Sequence, residues 1–145
     1  LPFKEKTFDF IWGIGVIEHY DIFAIKDVFK EAIRVSKPNG MITFGVPNFY
    51  SGPILKAWIL RYIPKSVPGY RLGTENFYKE KILKDALAGV AKKEGRNIEY
   101  LEAKYFGNPL PVESPIWMIN SVGKILEFLL PKNKFIIMIF CKFKN

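Results

Sequence analysis

Two short apolar runs on either side of a helical pattern limit most strongly how this chain can fold. The first run, Phe8 to Ile14, is apolar almost without a break, which is typical of a strand covered on both faces in a parallel sheet. A helical pattern follows Asp21, a favoured capping residue, and must end before Pro38. Residues 41–46 form the second run. The sequence therefore predicts a right-handed βαβ unit with two adjacent parallel strands, the first of them central.

The middle of the chain mixes turn signals with shorter elements. Residues 37–40, Lys-Pro-Asn-Gly, predict a tight turn before the second strand. Prolines and glycines interrupt residues 49–74, which we interpret as an insertion or lid carrying one short helix. A helix is predicted over about residues 79–93, ended by Gly95, and a strand over residues 97–105.

The end of the chain predicts one more helix and one more strand. Residues 114–130 are mostly apolar with helical spacing. Residues 134–143 contain an apolar core without a polar interruption, which favours an interior strand over an edge strand. A length of 145 residues suits one domain, and the order of elements predicts the α/β class.

The charge of the chain is basic but dispersed. There are 22 Lys and Arg residues against 14 Asp and Glu, for a formal charge of +8. The lysines stand singly or in pairs, and no recognition helix or aromatic RNA-binding motif accompanies them. We therefore favour a solvated basic surface over nucleic-acid binding.

Cysteine content and hydropathy bear on the compartment. Cys141 is the single cysteine, so a disulfide within the chain and a cysteine-based zinc site are excluded, and a reducing, cytoplasmic setting is expected. No apolar stretch approaches the ~18 residues of a membrane-spanning helix, and the first residues lack a signal-peptide layout.

An ordered series of short motifs carries a resemblance to a known family. The motifs are Leu1-Pro2-Phe3, Phe8-Asp9-Phe10, Gly15-Val16-Ile17-Glu18-His19 and Arg34-Val35-Ser36-Lys37-Pro38-Asn39-Gly40. The series resembles the central stretch of the class I S-adenosylmethionine-dependent methyltransferases, which commonly reads LPF, FD, GVLEH and RVLKPGG.

The resemblance implies a partial Rossmann-like methyltransferase sheet. Residues 1–145 would be the C-terminal part of one methyltransferase domain and hold strands 4 to 7 of a 3-2-1-4-5-7-6 order. The final strand would then insert antiparallel between the two before it. The family's glycine-rich cofactor loop would lie upstream of Leu1, so we expect this stretch alone to bind S-adenosylmethionine poorly and to be inactive.

The resemblance also implies a cofactor site for S-adenosylmethionine. In doubly wound sheets, ligands bind outside the carboxyl ends of the strands. The cofactor contacts that the resemblance implies are Leu1, Pro2, Gly13, Ile14, Gly15 and Val16. Two glycines let a bulky ligand approach the backbone closely, although small residues also simply end strands.

His19, the sole histidine, is the candidate catalytic residue. It could remove a proton from an acceptor hydroxyl, or it could cap or pack the following helix. In the ubiquinone-biosynthesis O-methyltransferases the related segment reads E-x-x-E-H and is associated with a metal. Only Glu18 and His19 match it here, so no metal is predicted. Tyr70 and Arg71 are candidate substrate contacts.

The sequence leaves two functions open. The first is methyl transfer to an unidentified small-molecule or lipid-like acceptor through oxygen, nitrogen, carbon or sulfur. The second is a non-catalytic methyltransferase-like module that docks on a membrane surface or a protein partner through Trp58 and Trp117, which lysines flank. Ordinary packing of these two helices onto the sheet is the alternative interpretation. The oligomeric state is not predicted.

Overall fold

Strands and helices alternate along the chain in the computed structural model, which describes residues 1–63, 72–111 and 113–144. The strands are β1 (Phe8–Ile14), β2 (Ser36–Pro47), β3 (Asn97–Phe106) and β4 (Ile136–Lys144). The longer helices are α1 (Ile22–Val35), α2 (Gly52–Leu60) and α3 (Glu80–Lys93). A 3-10 turn (Ile17–His19) follows β1. The late helical segment consists of α4 (Ile116–Met118), a π-helical turn (Ile119–Gly123) and α5 (Lys124–Leu129).

The four strands form one mixed sheet in the order β1-β2-β4-β3. β1 and β2 run parallel, as a βαβ crossover requires. β4 lies between β2 and β3 and is antiparallel to both, with Cys141 opposite Ile42 on one side and Leu101 on the other. The predictions of an α/β fold and of an interior, antiparallel final strand are confirmed.

β1 has one neighbouring strand in the described part of this sheet. Within the described residues, β1 pairs only with β2 and lies at the margin of the sheet. Its side chains are largely uncovered, and Trp12 is 65% exposed. This is the position expected for strand 4 in a chain that holds strands 4 to 7 of a 3-2-1-4-5-7-6 order, in which the second neighbour of β1 would be strand 1. An apolar run shows which side chains gain from burial, but the cover must come from elsewhere in the structure.

The predicted tight turn at residues 37–40 lies inside β2. The pairing register of β1 and β2 shifts between Phe8 and Phe10, so the chain bends as a bulge within the ladder. A Cβ atom at Gly40 would lie 2.9 Å from the Lys37 carbonyl oxygen, a distance too short for any residue but glycine. The turn chemistry therefore bends the strand without ending it.

The core lies where α1 and α3 pack on one face of the sheet. Asp21 caps α1 through Oδ1, which accepts hydrogen bonds of 2.9 Å from the amides of Phe23 and Ala24. Gly95, with φ +64°, follows the last turn of α3 as predicted. The largest core side chains from these elements are Ile25, Phe29, Ile33, Ile42, Leu83, Leu87, Ile139 and Phe143. This packing fixes β2, whose carboxyl end leads into the candidate site.

The two aromatic-rich helices pack differently from each other. α2 buries Pro53, Ile54 and Ala57. The late helical segment forms within the predicted range, but Gly123 is its only buried residue. Packing onto the sheet is therefore not the arrangement of the late helical segment in the described residues. None of the helices in the described ranges is long and apolar enough to span a bilayer.

Candidate functional site

The candidate site begins where β1 ends. Two glycines lie there, and each position favours glycine for a different structural reason. Gly13 faces the Phe44 ring, and a Cβ atom there would lie 3.0 Å from a ring carbon. Gly15 has φ +75°, a backbone conformation that favours glycine. Ile14, Gly15 and Val16 are exposed. The structure thus presents four predicted cofactor residues together, on a loop whose backbone a ligand can approach.

Leu1 and Pro2 lie at the other end of β1. The Leu1 amino group contacts Glu31 Oε1 at 2.6 Å, and Arg34 Nη2 donates to the Phe3 carbonyl oxygen at 2.8 Å. Both partners stand near the end of α1, beside the first residues of β1. A seven-residue strand places its two ends about 20 Å apart. The structure therefore does not bring Leu1 and Pro2 together with Gly13–Val16, and their cofactor role stays a prediction.

Glu18 is a buried carboxylate directly behind the glycine loop. It is 3% exposed, and Oε2 has no hydrogen-bond partner among the described residues. Its Oε1 atom would lie 3.7 Å from a Cβ atom placed on Gly15. A buried acceptor without a donor costs about 1 to 3 kcal/mol or more, so such a group usually has a ligand, ion or water as its partner. The sequence singled out Glu18 only as a potential metal ligand.

His19 is exposed, and its Nδ1 atom lies 3.0 Å from Thr74 Oγ1. This contact joins the 3-10 turn to residues 72–78, the segment that leads into α3. The Asn76 amide donates to the Glu18 carbonyl oxygen at 2.7 Å, and the Tyr78 hydroxyl donates to the Tyr20 carbonyl oxygen at 2.8 Å. The loop after β1 is thus held in place by the segment that leads into α3. Within the described ranges, no three His, Cys, Asp or Glu side chains cluster as metal ligands.

An aromatic pocket of about 480 Å³ is lined in part by Phe77 and Tyr78, from the same segment that contacts the loop after β1. Its position is set by residues after β2, near the end of β3 and at the start of β4, so it opens at the edge of the sheet where β2 and β3 have their carboxyl ends. Rings dominate its lining, and Phe49 packs against Phe77 with centroids 5.1 Å apart. The lining residues are Asn48, Phe49, Tyr50, Phe77, Tyr78, Lys79, Glu80, Tyr105, Lys132, Asn133 and Ile137. Its volume and apolar character are typical of sites for small organic ligands.

Glu80 is the acidic group of the pocket. The Tyr105 hydroxyl donates to Glu80 Oε2 at 3.0 Å, and Lys132 Nζ lies 3.9 Å from Glu80 Oε1. Burial, together with this hydrogen bond to Glu80, raises the pKa of Tyr105 to about 12. Tyr105 therefore stays a neutral hydroxyl, and Glu80 keeps lone pairs that a donor on a ligand could use.

Asn48 fixes the position of one wall of the pocket. It is buried, and its side-chain amide donates to the carbonyl oxygens of Lys132 at 2.7 Å and Lys134 at 2.9 Å. These bonds fix the connection between the late helical segment and β4, which carries Lys132 into the pocket wall.

Sequence reasoning missed this pocket because its walls come from separate parts of the chain. The available signal was the aromatic pair Phe49-Tyr50 directly after a buried strand. Tyr70 and Arg71, the predicted substrate contacts, lie outside the described residues.

Comparisons with known proteins agree with this arrangement. A family of methyltransferase domains matches residues 1–44, which include β1, α1 and most of β2. No curated protein sequence is similar enough to the chain to count as a match.

Several solved structures share the fold. An S-adenosylmethionine-dependent methyltransferase from Thermotoga maritima, named a possible histamine N-methyltransferase, is 16% identical with a TM-score of 0.59, over 99% of this chain and 60% of that chain. One from Archaeoglobus fulgidus is 16% identical with a TM-score of 0.52, over 95% and 60%. One from Methanosarcina mazei is 16% identical with a TM-score of 0.54, over 99% and 62%.

These comparisons settle the class of fold. The chain has the α/β fold of the S-adenosylmethionine-dependent methyltransferases, and its first 44 residues match a methyltransferase-domain family. The resemblance drawn from the motifs is thereby confirmed. The chain spans about 60% of the length of the first two solved structures above.

Proposed function

We propose that this chain forms the acceptor side, and one wall of the donor site, of an S-adenosylmethionine-dependent methyltransferase. The observation that carries the proposal is the buried Glu18 side chain behind the Gly13–Val16 loop, whose Oε2 atom has no hydrogen-bond partner among the described residues. The methyltransferase fold and the match over residues 1–44 support it.

The residues at the end of β1 fit S-adenosylmethionine. The amino-acid part of this cofactor carries an ammonium group, a donor of the kind that Glu18 Oε2 lacks. Gly15, having no side chain, lets a ligand group come close to the backbone over Glu18. Ile14 and Val16 offer exposed apolar contact on the same loop. When bound, the cofactor would supply an activated methyl group, carried on a positively charged sulfur.

The aromatic pocket orients the acceptor. Phe49 and Phe77 pack edge to face and provide apolar surface, which suits a flat or hydrocarbon body and displaces water from it. The Tyr105 hydroxyl donates to Glu80 and holds this carboxylate in place, so a donor group on the acceptor has Glu80 as a defined partner. Proximity and orientation account for much of the rate in a reaction whose donor is already activated.

His19 is proposed as the group that takes the acceptor proton. Its Nδ1 atom is engaged by Thr74, which orients the ring and leaves proton transfer to Nε2 when Nδ1 carries the hydrogen. In the reaction the proton moves from the acceptor atom to Nε2 while the lone pair forms the new bond to carbon. His19→Gln should then lower kcat and remove a limb of the pH–rate profile. An unchanged pH profile would assign His19 a capping or packing role.

Binding of S-adenosylmethionine is the direct test of the proposed function. Isothermal titration calorimetry on the protein as its gene encodes it, with any residues before Leu1, should show binding of the cofactor. Glu18→Gln should weaken that binding by roughly tenfold, because a charged hydrogen bond of about 1.5 kcal/mol or more is lost. Glu99→Gln replaces an exposed carboxylate on β3 with a carboxamide. This variant is the matched control and should bind as the wild type does. A wild-type protein without affinity for the cofactor would overturn the proposal.

A docking module without catalysis is the second candidate function. The exposure of Trp117, 69%, on a helical segment that leaves the sheet uncontacted favours it. Vesicle or partner binding in a protein without cofactor affinity would select this function over methyl transfer. Cofactor affinity together with docking would mean that one protein does both.

A further inference from the structure

The late helical segment presents an apolar face to the outside. Trp117 is 69% exposed and Phe128 is 85% exposed. The exposed large apolar side chains of the segment are Ile116, Trp117, Val122, Ile125, Phe128 and Leu129. Soluble proteins rarely show contiguous apolar surface of this kind unless it binds something.

The polar side of the same segment faces the protein. Gly123 is buried, and a Cβ atom there would lie 2.5 Å from Asn108 Nδ2. Asn108 Nδ2 also donates to Glu127 Oε1 at 3.1 Å. A surface helix normally turns its apolar stripe to the core and its charges to water. Here the order is reversed, because a glycine and a hydrogen-bonded carboxylate hold the segment to the sheet domain.

The charges around the apolar face are mainly positive. Lys124 lies on the segment, and Lys132 and Lys134 follow it. The two nearby carboxylates are already engaged: Glu127 by the Asn108 amide, and Glu113 by a 2.9 Å ion pair with a lysine of α2. Lys132 is paired with Glu80, so the surface combines exposed aromatic and aliphatic groups with two nearby lysines, Lys124 and Lys134.

A second exposed apolar surface lies on α2. The residues before the late helical segment contact the start of this helix. The Gly52 amide donates to the Pro109 carbonyl oxygen at 2.9 Å. α2 turns Ile54 and Ala57 inward, and Trp58 on α2 and Tyr62 just after it are exposed, with ring centroids 5.6 Å apart. Aromatic rings of this amphipathic kind favour the boundary between hydrocarbon and headgroups.

We propose that the late helical segment docks on an anionic lipid surface and lies in the plane of the interface. Apolar side chains on one face, flanked by lysines, match the chemistry of a membrane whose headgroups carry negative charge. A second copy of this chain is a poorer occupant, because two faces with the same lysines and a net charge of +8 on each chain would repel. This docking is independent of methyl transfer.

Vesicle co-sedimentation tests the docking. Vesicles of phosphatidylcholine with phosphatidylglycerol should pellet the full chain, and vesicles of phosphatidylcholine alone should pellet much less of it. Added salt should weaken the binding. Phe128→Glu should reduce the partition coefficient by roughly tenfold or more, because one apolar ring is lost and a negative charge is gained. Phe23→Glu is the matched control, since Phe23 is 74% exposed on α1, and it should bind as the wild type does.

Fluorescence of Trp117 locates the docking face. A variant with Trp12→Phe and Trp58→Phe keeps Trp117 as its single tryptophan. With anionic vesicles its emission should shift to the blue, and lipids brominated in their acyl chains should quench it. Equal pelleting by neutral and anionic vesicles, unchanged binding of Phe128→Glu, or an unshifted Trp117 would each overturn the proposal. So would a dimer in sedimentation velocity that Phe128→Glu dissociates, which would assign the face to a second copy. A circular dichroism melt of each variant verifies its folding.

Discussion

The packed sheet core and the late helical segment are made of similar side chains but differ in what covers them. Phe29 on α1 is fully buried beside Phe44, with ring centroids 5.3 Å apart, whereas Phe128 on α5 is 85% exposed. Both lie in helices that the sequence predicts from apolar spacing. Apolar spacing thus identifies a helix and its apolar face, but the neighbouring structure decides whether that face is inside.

The polar residues explain the difference. α1 has its charged side chains, such as Lys26 and Lys30, exposed on the side away from the buried Ile25 and Phe29. The late helical segment instead has Glu127 against Asn108, on the side of the sheet domain. Because a hydrogen bond holds the polar side of the late helical segment against the protein, its apolar side points outward. In α1 the apolar side points inward.

The largest expected effect comes from matched phenylalanine substitutions in the two regions. Phe29→Ala should lower the free energy of unfolding by about 3 to 5 kcal/mol, because it leaves a cavity in the core. Phe128→Ala should change it by no more than about 0.5 kcal/mol, since the ring has no buried contacts to lose. Urea denaturation followed by circular dichroism measures both. Equal costs for the two variants would break the comparison.

An intermediate effect is expected where the two regions join. Asn48→Ala should lower the free energy of unfolding by about 1 to 3 kcal/mol, because the carbonyl oxygens of Lys132 and Lys134 lose buried donors. The same denaturation measurement applies. Asn120→Ala, an exposed change on the π-helical turn, is the control and should be nearly neutral. A neutral Asn48→Ala would mean that the connection to β4 is held by other contacts.

Acid should weaken the packed region through Glu31. Hydrogen bonds from Arg34, then from the Leu1 amino group, lower the pKa of Glu31 from 4.5 to about 2. Since the folded pKa is depressed, this stability is fully present above about pH 4.5 and is lost as the pH falls towards 2. Urea midpoints across that range should fall less steeply for Glu31→Gln than for the wild type. An unchanged slope would show that the pair does not couple to folding.

The smallest effect is expected at the ion pair between α2 and the residues before the late helical segment. Lys56→Ala removes the 2.9 Å bridge to Glu113, which solvent reaches. The cost should be below about 1 kcal/mol and should shrink with added salt. Thermal melts at low and high salt measure it. A larger cost would mean that this pair organises the region, and the contrast with the core would then be less sharp.

Several features of the fold could be read from the sequence because their causes are local. Asp21 caps α1 as its side chain predicts, and Gly95 ends α3 with the positive φ that glycine tolerates. The interior position of β4 followed from its apolar run and from the family resemblance. The cluster Gly13–Val16 was found because motif order is preserved along the chain.

The remaining features of the site could not be predicted because they depend on distant partners. The turn that carries the buried Glu18 is bonded to Asn76, which lies 58 positions further along the chain. Tyr105 and Glu80 lie 25 positions apart and meet across α3 and β3. No spacing rule connects them.

The sequence by itself determined the elements, their order and the methyltransferase type of the fold, because caps, apolar periodicity and motif order act over a few residues. Only the tertiary structure decided that an aromatic pocket forms at the carboxyl ends of β2 and β3, and that the late helical segment turns its apolar face outward. The physical reason is that a side chain is buried only when a second surface covers it. The local sequence shows which side chains are apolar, but the surface that covers them comes from a distant part of the fold.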